Sequence, residues 1–217
     1  MLYPDHRVKI DPSDDAEFYR FPRFVTHVDD GFIQQLTELY REQLHLDMKI
    51  LDLMSSWVSH LPDDMSFAHV EGHGLSREEL ARNPRLDHYF VQDLNQQPKL
   101  PFPDQSFDAV LNAVSVQYLQ YPEAIFAEIY RILKPGGVSI VSFSNRMFFQ
   151  KAIQIWRDSS EPERLELVKR YFQAINGFEA IQTISRSSPM GNLFQMLGLS
   201  NGDPFYAVMA RRDAIVS

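Results

Sequence analysis

The apolar positions of this chain fall into two rhythms, one helical and one layered. Ile33, Leu36, Leu39, Tyr40 and Leu44 recur at the three-and-four spacing of one helix face, with Asp29 or Asp30 placed to cap its start. From Lys49 onward short apolar runs alternate with helical stretches, the pattern of an α/β sheet, predicting strands near 49–53, 67–71, 88–92, 107–114 and 138–143. Ser76 to Glu79 reads as a capping box, each side chain satisfying the other's free backbone donor, and opens a short helix that must end near Pro84. Pro122 suits the first turn of the next helix, whose buried stripe is Ile125, Phe126, Ile129, Ile132 and Leu133. Two further amphipathic helices follow. One carries Phe148, Ala152, Ile155 and Trp156, and the other carries Leu165, Val168, Tyr171, Phe172 and Ile175 before a stop at Gly177. Phe178 to Ser185 and Phe205 to Arg211 read as strands separated by a Gly-, Ser- and Asn-rich segment.

Residues 1 to about 28 fit neither rhythm. Phe18, Tyr19, Phe21 and Phe24 are costly to leave in water, so this segment is expected to be an ordered arm. With 217 residues and 44% hydrophobic content the chain can bury one sizeable core. The expected organisation is a single domain over 1–217, with an N-terminal arm and lid helix (1–46) and an α/β core (47–217).

A net charge of −8, with no basic cluster, argues against a nucleic-acid partner. The absence of cysteine removes disulfides, thiolate metal sites and a cysteine nucleophile. No apolar run approaches the ~20 residues of a membrane span, and the first residues lack the pattern of a signal peptide, so a soluble cytoplasmic protein is expected. Oligomeric state is not legible.

The stretch Leu100-Pro-Phe-Pro-Asp-Gln-Ser-Phe-Asp-Ala-Val110 feeds a buried strand, a helix returns, and Leu133-Lys-Pro-Gly-Gly137 turns into the apolar run Val138 to Phe143. That is one parallel β-α-β unit. These words resemble the second half of the class I S-adenosylmethionine-dependent methyltransferase superfamily, in its type 11-like form. The resemblance implies a Rossmann-like, doubly wound, seven-stranded sheet, mostly parallel with an antiparallel C-terminal strand, with helices on both faces. S-adenosylmethionine is the implied cofactor.

In such sheets ligands collect outside the carboxyl ends of the strands, where strand order reverses. The family's first strand ends in Asp-x-Gly-x-Gly-x-Gly. Here Asp52 keeps the acid, but Met54, Ser55, Ser56, Trp57 and Val58 stand where the glycine-rich run should be. Ser55, Ser56 and Ser59 are expected to replace lost backbone contacts with hydroxyl donors, and Trp57 to wall the pocket; the plainer reading is a capped turn with Trp57 in the core. The family's ribose-binding acid falls on Gly74 when Gly72-His-Gly-Leu-Ser76 is aligned, leaving Glu71, Gly72 and His73 as the nearby candidates. Asp93 and Leu94, after the third strand, inherit the adenine contacts by position. Ala113, within Asn112 to Tyr118, lies on the segment that faces cofactor and substrate, with Gln117 and Tyr118 as substrate candidates. Ser144 to Phe148 offers an amide and a guanidinium to an acidic or carbonyl-bearing substrate.

Methyl transfer needs mainly alignment, with a general base only where the nucleophile must lose a proton. His60 and Tyr118 are the candidates for such a base. His69 and His73 have a zinc-like spacing, but a strand end does not put both on one face, so no metal is expected. A dinucleotide turn at Gly72 lacks its third glycine, where Arg77 stands, and no serine-hydrolase elbow occurs. The expected activity is methyl transfer to a small molecule. The competing expectation is a protein of the same fold that transfers no methyl group and serves as a binding or regulatory module.

Overall fold

The computed structural model describes residues 2–186 and 202–214. Its strands are β1 (Lys49–Asp52), β2 (His69–Gly74), β3 (His88–Val91), β4 (Phe107–Ala113), β5 (Leu133–Phe143), β6 (Phe178–Arg186) and β7 (Phe205–Arg212). They form one seven-stranded sheet in the order β3-β2-β1-β4-β5-β7-β6. β1 to β5 are mutually parallel, and β7 runs antiparallel between β5 and β6. Around it lie α1 (Asp15–Phe18), α2 (Asp30–Gln43), α3 (Arg77–Arg82), α4 (Pro122–Ile132), α5 (Gln154–Asp158) and α6 (Glu161–Gln173).

Side chains alternate between sheet faces, so both faces are apolar and both are covered. Leu51, Val110, Val141 and Val208 join Ile125, Phe126 and Phe172 of α4 and α6 in one core. Their neighbours Ile50, Leu111, Ile140 and Met209 join Phe32, Leu36, Leu39 and Tyr40 of α2 in the other. Asp29 caps α2, its Oδ1 accepting the Phe32 N–H at 2.8 Å.

Three boundaries differ from expectation for local reasons. β2 starts and ends later, because Ala68 N–H bonds Met48 C=O ahead of the ladder and pairing then continues to Gly74 opposite Val91. β5 begins already at Leu133. Its register against β4 jumps from Phe107↔Leu133 to Ala109↔Val138, so Lys134 to Gly137 form a bulge rather than a turn outside the strand. Gly136 adopts φ +76° there, a conformation that suits glycine. The helix expected from Phe148 is only α5, because Ile153 N–H leaves the local turn to bond Gln117 C=O at 3.0 Å. The Gly-, Ser- and Asn-rich connection before β7 lies mostly outside the described residues. Among the described residues, no helix is long and apolar enough to cross a membrane.

Candidate functional site

A cavity of about 280 Å³ lies where β1, β2, β3 and β4 end. The sheet order turns between β1 and β4, which makes this the carboxyl-end crevice expected of a doubly wound fold. Asp52, Met54, Ser55, Ser56, Trp57, His60, His73, Asp93, Leu94, Ala113 and Tyr118 all reach its wall. Glu71 and Gly72 do not.

The loop after β1 is shaped by polar anchors in place of glycines. Met54 N–H donates to His73 Nδ1 at 3.1 Å, and Ser55 N–H donates to His73 C=O at 2.6 Å. His73 Nε2–H donates in turn to Gln92 C=O at 2.8 Å, so both ring nitrogens are engaged within the protein and the ring is neutral. Burial holds its pKa down at about 4. His73 is therefore a brace between loop, β2 and β3, and not a free donor to a ligand. Met54 (φ 59°) and His60 (φ 54°) take left-handed conformations without being glycine, at a cost of about 1–2 kcal/mol each.

The serines are spent internally. Ser55 Oγ–H donates to Asp52 Oδ2 at 2.6 Å, Ser56 Oγ–H to Glu79 Oε2 at 2.7 Å, and Ser59 Oγ accepts from Asn83 Nδ2 at 2.8 Å. Asp52 is 3% exposed, and burial raises its pKa to about 6. Trp57 walls the cavity, its Nε1–H donating to Val25 C=O at 3.2 Å.

At the end of β2 the missing acid has a steric reason. A Cβ on Gly74 would meet the Ser55 carbonyl oxygen at 2.6 Å, so no side chain fits there while the loop keeps this path. The close approach that the family assigns to loop glycines has passed to this glycine. Glu71 sits back in the strand, its carboxylate held by His69 Nε2 at 2.9 Å and His88 Nδ1 at 2.6 Å, and Gly72 faces Leu86.

Glu79 supplies a carboxylate that sequence reasoning assigned elsewhere. Ser76 Oγ accepts the Glu79 N–H at 3.4 Å, but the Glu79 carboxylate does not return to Ser76 to close the capping box. It turns to the cavity, accepting from Ser56 Oγ and, through Oε1, from Arg23 N–H at 2.7 Å. The acid in the first turn after β2 was a visible signal that the capping reading absorbed.

The arm closes the opposite wall with Asp15, Tyr19, Arg23, Val25 and His27. One end is pinned by Lys151, only 1% exposed, which donates to Ser13 C=O at 2.8 Å and pairs with Asp11 at 3.1 Å and Asp15 at 3.4 Å. Lys9 and Asn95 also bond Asp15. The other end is clasped by reciprocal bonds, Asp29 N–H to Asp203 Oδ2 at 3.0 Å and Asp203 N–H to Asp29 Oδ2 at 2.7 Å. Phe148 packs against Phe18 and His27 of this cover. α2, expected as a lid helix, packs on the sheet and contributes nothing to the wall.

Asp93 Oδ1 accepts Asn95 N–H at 2.8 Å, which fixes the turn after β3, and the carboxylate still reaches the cavity. After β4, Val114 takes φ 51°, an outlier for a β-branched residue; its carbonyl is held by Gln117 Nε2–H at 2.9 Å. Gln117 is wholly buried and does not face the cavity. Tyr118 does, but its hydroxyl accepts Phe148 N–H at 2.8 Å and burial pushes its pKa up to about 12. Burial pushes His60 down to about 4. Neither is tuned as a base near neutral pH. Arg146 reaches the wall with Nε–H bonded to Asp203 Oδ1 at 2.7 Å, whereas Asn145 does not. Ser115 Oγ and Arg23 Nη1, in residues that line the cavity, are buried without a hydrogen-bond partner among the described residues.

Residues 58–141 match a family model described as a methyltransferase domain. A probable S-adenosylmethionine-dependent methyltransferase of Mycolicibacterium smegmatis is 36% identical over 87 residues, covering 40% of this chain and 29% of that protein. The biotin biosynthesis bifunctional protein BioHC of Teredinibacter turnerae is 28% identical over 111 residues, covering 51% of this chain and 18% of that protein. The matched segments thus span less than a third of either relative. The crystal structure of the PH0226 protein of Pyrococcus horikoshii superposes with a TM-score of 0.61 at 19% identity, covering 91% of this chain and 99% of that one.

Proposed function

We propose, from the premise that this chain belongs to the class I S-adenosylmethionine-dependent methyltransferase superfamily, that it transfers a methyl group from S-adenosylmethionine to a small molecule. The observation that carries the proposal is the convergence of Asp52, Asp93 and Leu94, from the ends of β1 and β3, on one cavity wall. The wall also suits the cofactor chemically. It holds carboxylates for ribose hydroxyls and an adenine amino group, and two of its residues, Arg23 and Ser115, have buried polar atoms without a partner among the described residues.

Bound there, S-adenosylmethionine would supply an activated methyl group on a sulfonium. Asp93 and the Leu94 backbone hold the adenine in this reading, and Glu79 takes the ribose role that Gly74 cannot. Asp52 and Ser55 brace the loop after β1, and the arm excludes water from the far side. His60 and Tyr118 are poor bases at neutral pH, so neither is assigned the role of general base in this reading. A cytoplasmic setting belongs to the same proposal.

Calorimetric titration with S-adenosylmethionine and S-adenosylhomocysteine tests it. Micromolar binding, weakened by Asp93→Ala and by Glu79→Ala, is the expected result. No binding at millimolar cofactor would reject methyl transfer and favour a binding or regulatory module, a reading to which the side-chain-filled loop after β1 lends its one support.

A further inference from the structure

Among the described residues, Arg23 stands out from the other cations around the cavity because it pairs with no anion. Arg146 is paired with Asp203, while Lys9 and Lys151 are paired with Asp15. Glu79 accepts the Arg23 backbone N–H and not its guanidinium. The guanidinium donates through Nη2–H to Phe18 C=O at 3.1 Å, while Nη1 is buried with no acceptor among the described residues, on a side chain that lines the cavity. Its Cζ lies 4.4 Å from the Phe18 ring centroid, 5.3 Å from that of Phe148 and 5.7 Å from that of Tyr19.

Each feature narrows the ligand. Three aromatic rings hold the guanidinium plane and limit its rotation, so its unused edge is preorganised. Because the arginine already occupies the ring faces, the aromatic cluster is not free to take a cationic ligand. A buried donor on a permanent cation is costly to leave unmade, and a carboxylate supplies charge and two acceptors in matching geometry. We propose that Arg23 is an anion-binding residue whose partner is a carboxylate on a bound ligand. This inference rests on the methyltransferase reading for the ligand's source, which is either the amino-acid end of the cofactor or the methyl acceptor. Phe148 follows β5 and packs on Tyr118 with ring centroids 6.0 Å apart, so the subsite borders the β4 and β5 ends of the cavity.

The full chain and its Arg23→Gln variant are titrated with S-adenosylhomocysteine, with 5′-methylthioadenosine, which lacks the amino-acid carboxylate, and with benzoate in the presence and absence of S-adenosylhomocysteine. Losing the charged pair should weaken the carboxylate-bearing probe roughly 10- to 100-fold. Weaker S-adenosylhomocysteine with unchanged 5′-methylthioadenosine assigns the carboxylate to the cofactor. Unchanged S-adenosylhomocysteine with lost benzoate assigns it to the acceptor. If neither carboxylate probe weakens, or if both nucleosides weaken equally, Arg23 is only a structural part of the arm and the proposal fails. Arg23→Lys, which keeps the charge, should retain part of the affinity, and its unfolding curve checks that the arm still folds. If the wild type binds neither nucleoside, the methyltransferase reading fails separately, and benzoate alone decides the anion site.

Discussion

Replacing Gly74 with alanine tests whether the loop after β1 is fixed by its approach to β2. The added Cβ would sit 2.6 Å from the Ser55 carbonyl oxygen, whereas ordinary contact begins near 3.4 Å, so the loop must retreat by about 0.8 Å. It cannot do so freely. Ser55 N–H is bonded to His73 C=O at 2.6 Å and Met54 N–H to His73 Nδ1 at 3.1 Å, and both bonds lie on the strand that carries the new methyl group. Overpacking of this kind costs about 1–3 kcal/mol, and straining the two hydrogen bonds by about 0.5 kcal/mol each adds about 1 kcal/mol, giving roughly 2–4 kcal/mol in all. For a chain of this length that lowers the melting temperature by about 5–15 °C. Thermal unfolding followed by circular dichroism measures it, with Gly31→Ala as the control. Gly31 lies in the first turn of α2, where a Cβ would meet only Asp29 Oδ1 at 3.4 Å, so its replacement should be neutral or slightly stabilising. A Gly74→Ala protein that melts within about 2 °C of wild type would refute the packing argument.

Asp52 has a folded pKa raised to about 6 by burial. The folded state therefore binds the extra proton, and this residue's contribution to stability falls as pH rises from about 4 to 6, by about 3 kcal/mol. Asp52→Asn should flatten that part of a urea-denaturation pH series; an unchanged slope would mean that the carboxylate is solvated. His73, depressed to about 4, has the opposite sign, so stability is lost as pH falls from about 6.5 toward 4, and His73→Gln should remove that loss in the same series. Lys151→Met removes the buried cation shared by Asp11 and Asp15 of the arm and should destabilise the protein, with faster proteolysis between residues 16 and 28. Equal proteolysis rates in the two proteins would show that Lys151 does not hold the arm.

The sheet was legible because its rules are local. Period-two alternation at Ile50 and Leu51 or at Ile140 and Val141 announces two covered faces, and the Pro135 to Gly137 segment marks the return into β5. Asp52, Asp93 and Ala113 were named from the family resemblance together with the strand ends, and all three line the cavity. Glu71 was misplaced because β2 runs three residues beyond its expected end, which carries the strand terminus to Gly74. Arg23 escaped notice, and Glu79 was read only as a cap, for a different reason. Their contact joins residues 56 positions apart, and nothing in the local pattern of a Phe- and Pro-rich arm says which strand ends it will cover. The role of Gly74 depends on the path of another loop, and that path follows from the two bonding atoms of His73, which no spacing rule reveals.

A crystal structure of the protein grown with S-adenosylhomocysteine tests the central claim most directly. The account predicts adenine against Asp93 and Leu94 and ribose hydroxyls on Glu79, with the glycine-free loop unmoved. An empty cavity at millimolar ligand, or a nucleoside lying away from Asp93 and Glu79, would contradict it.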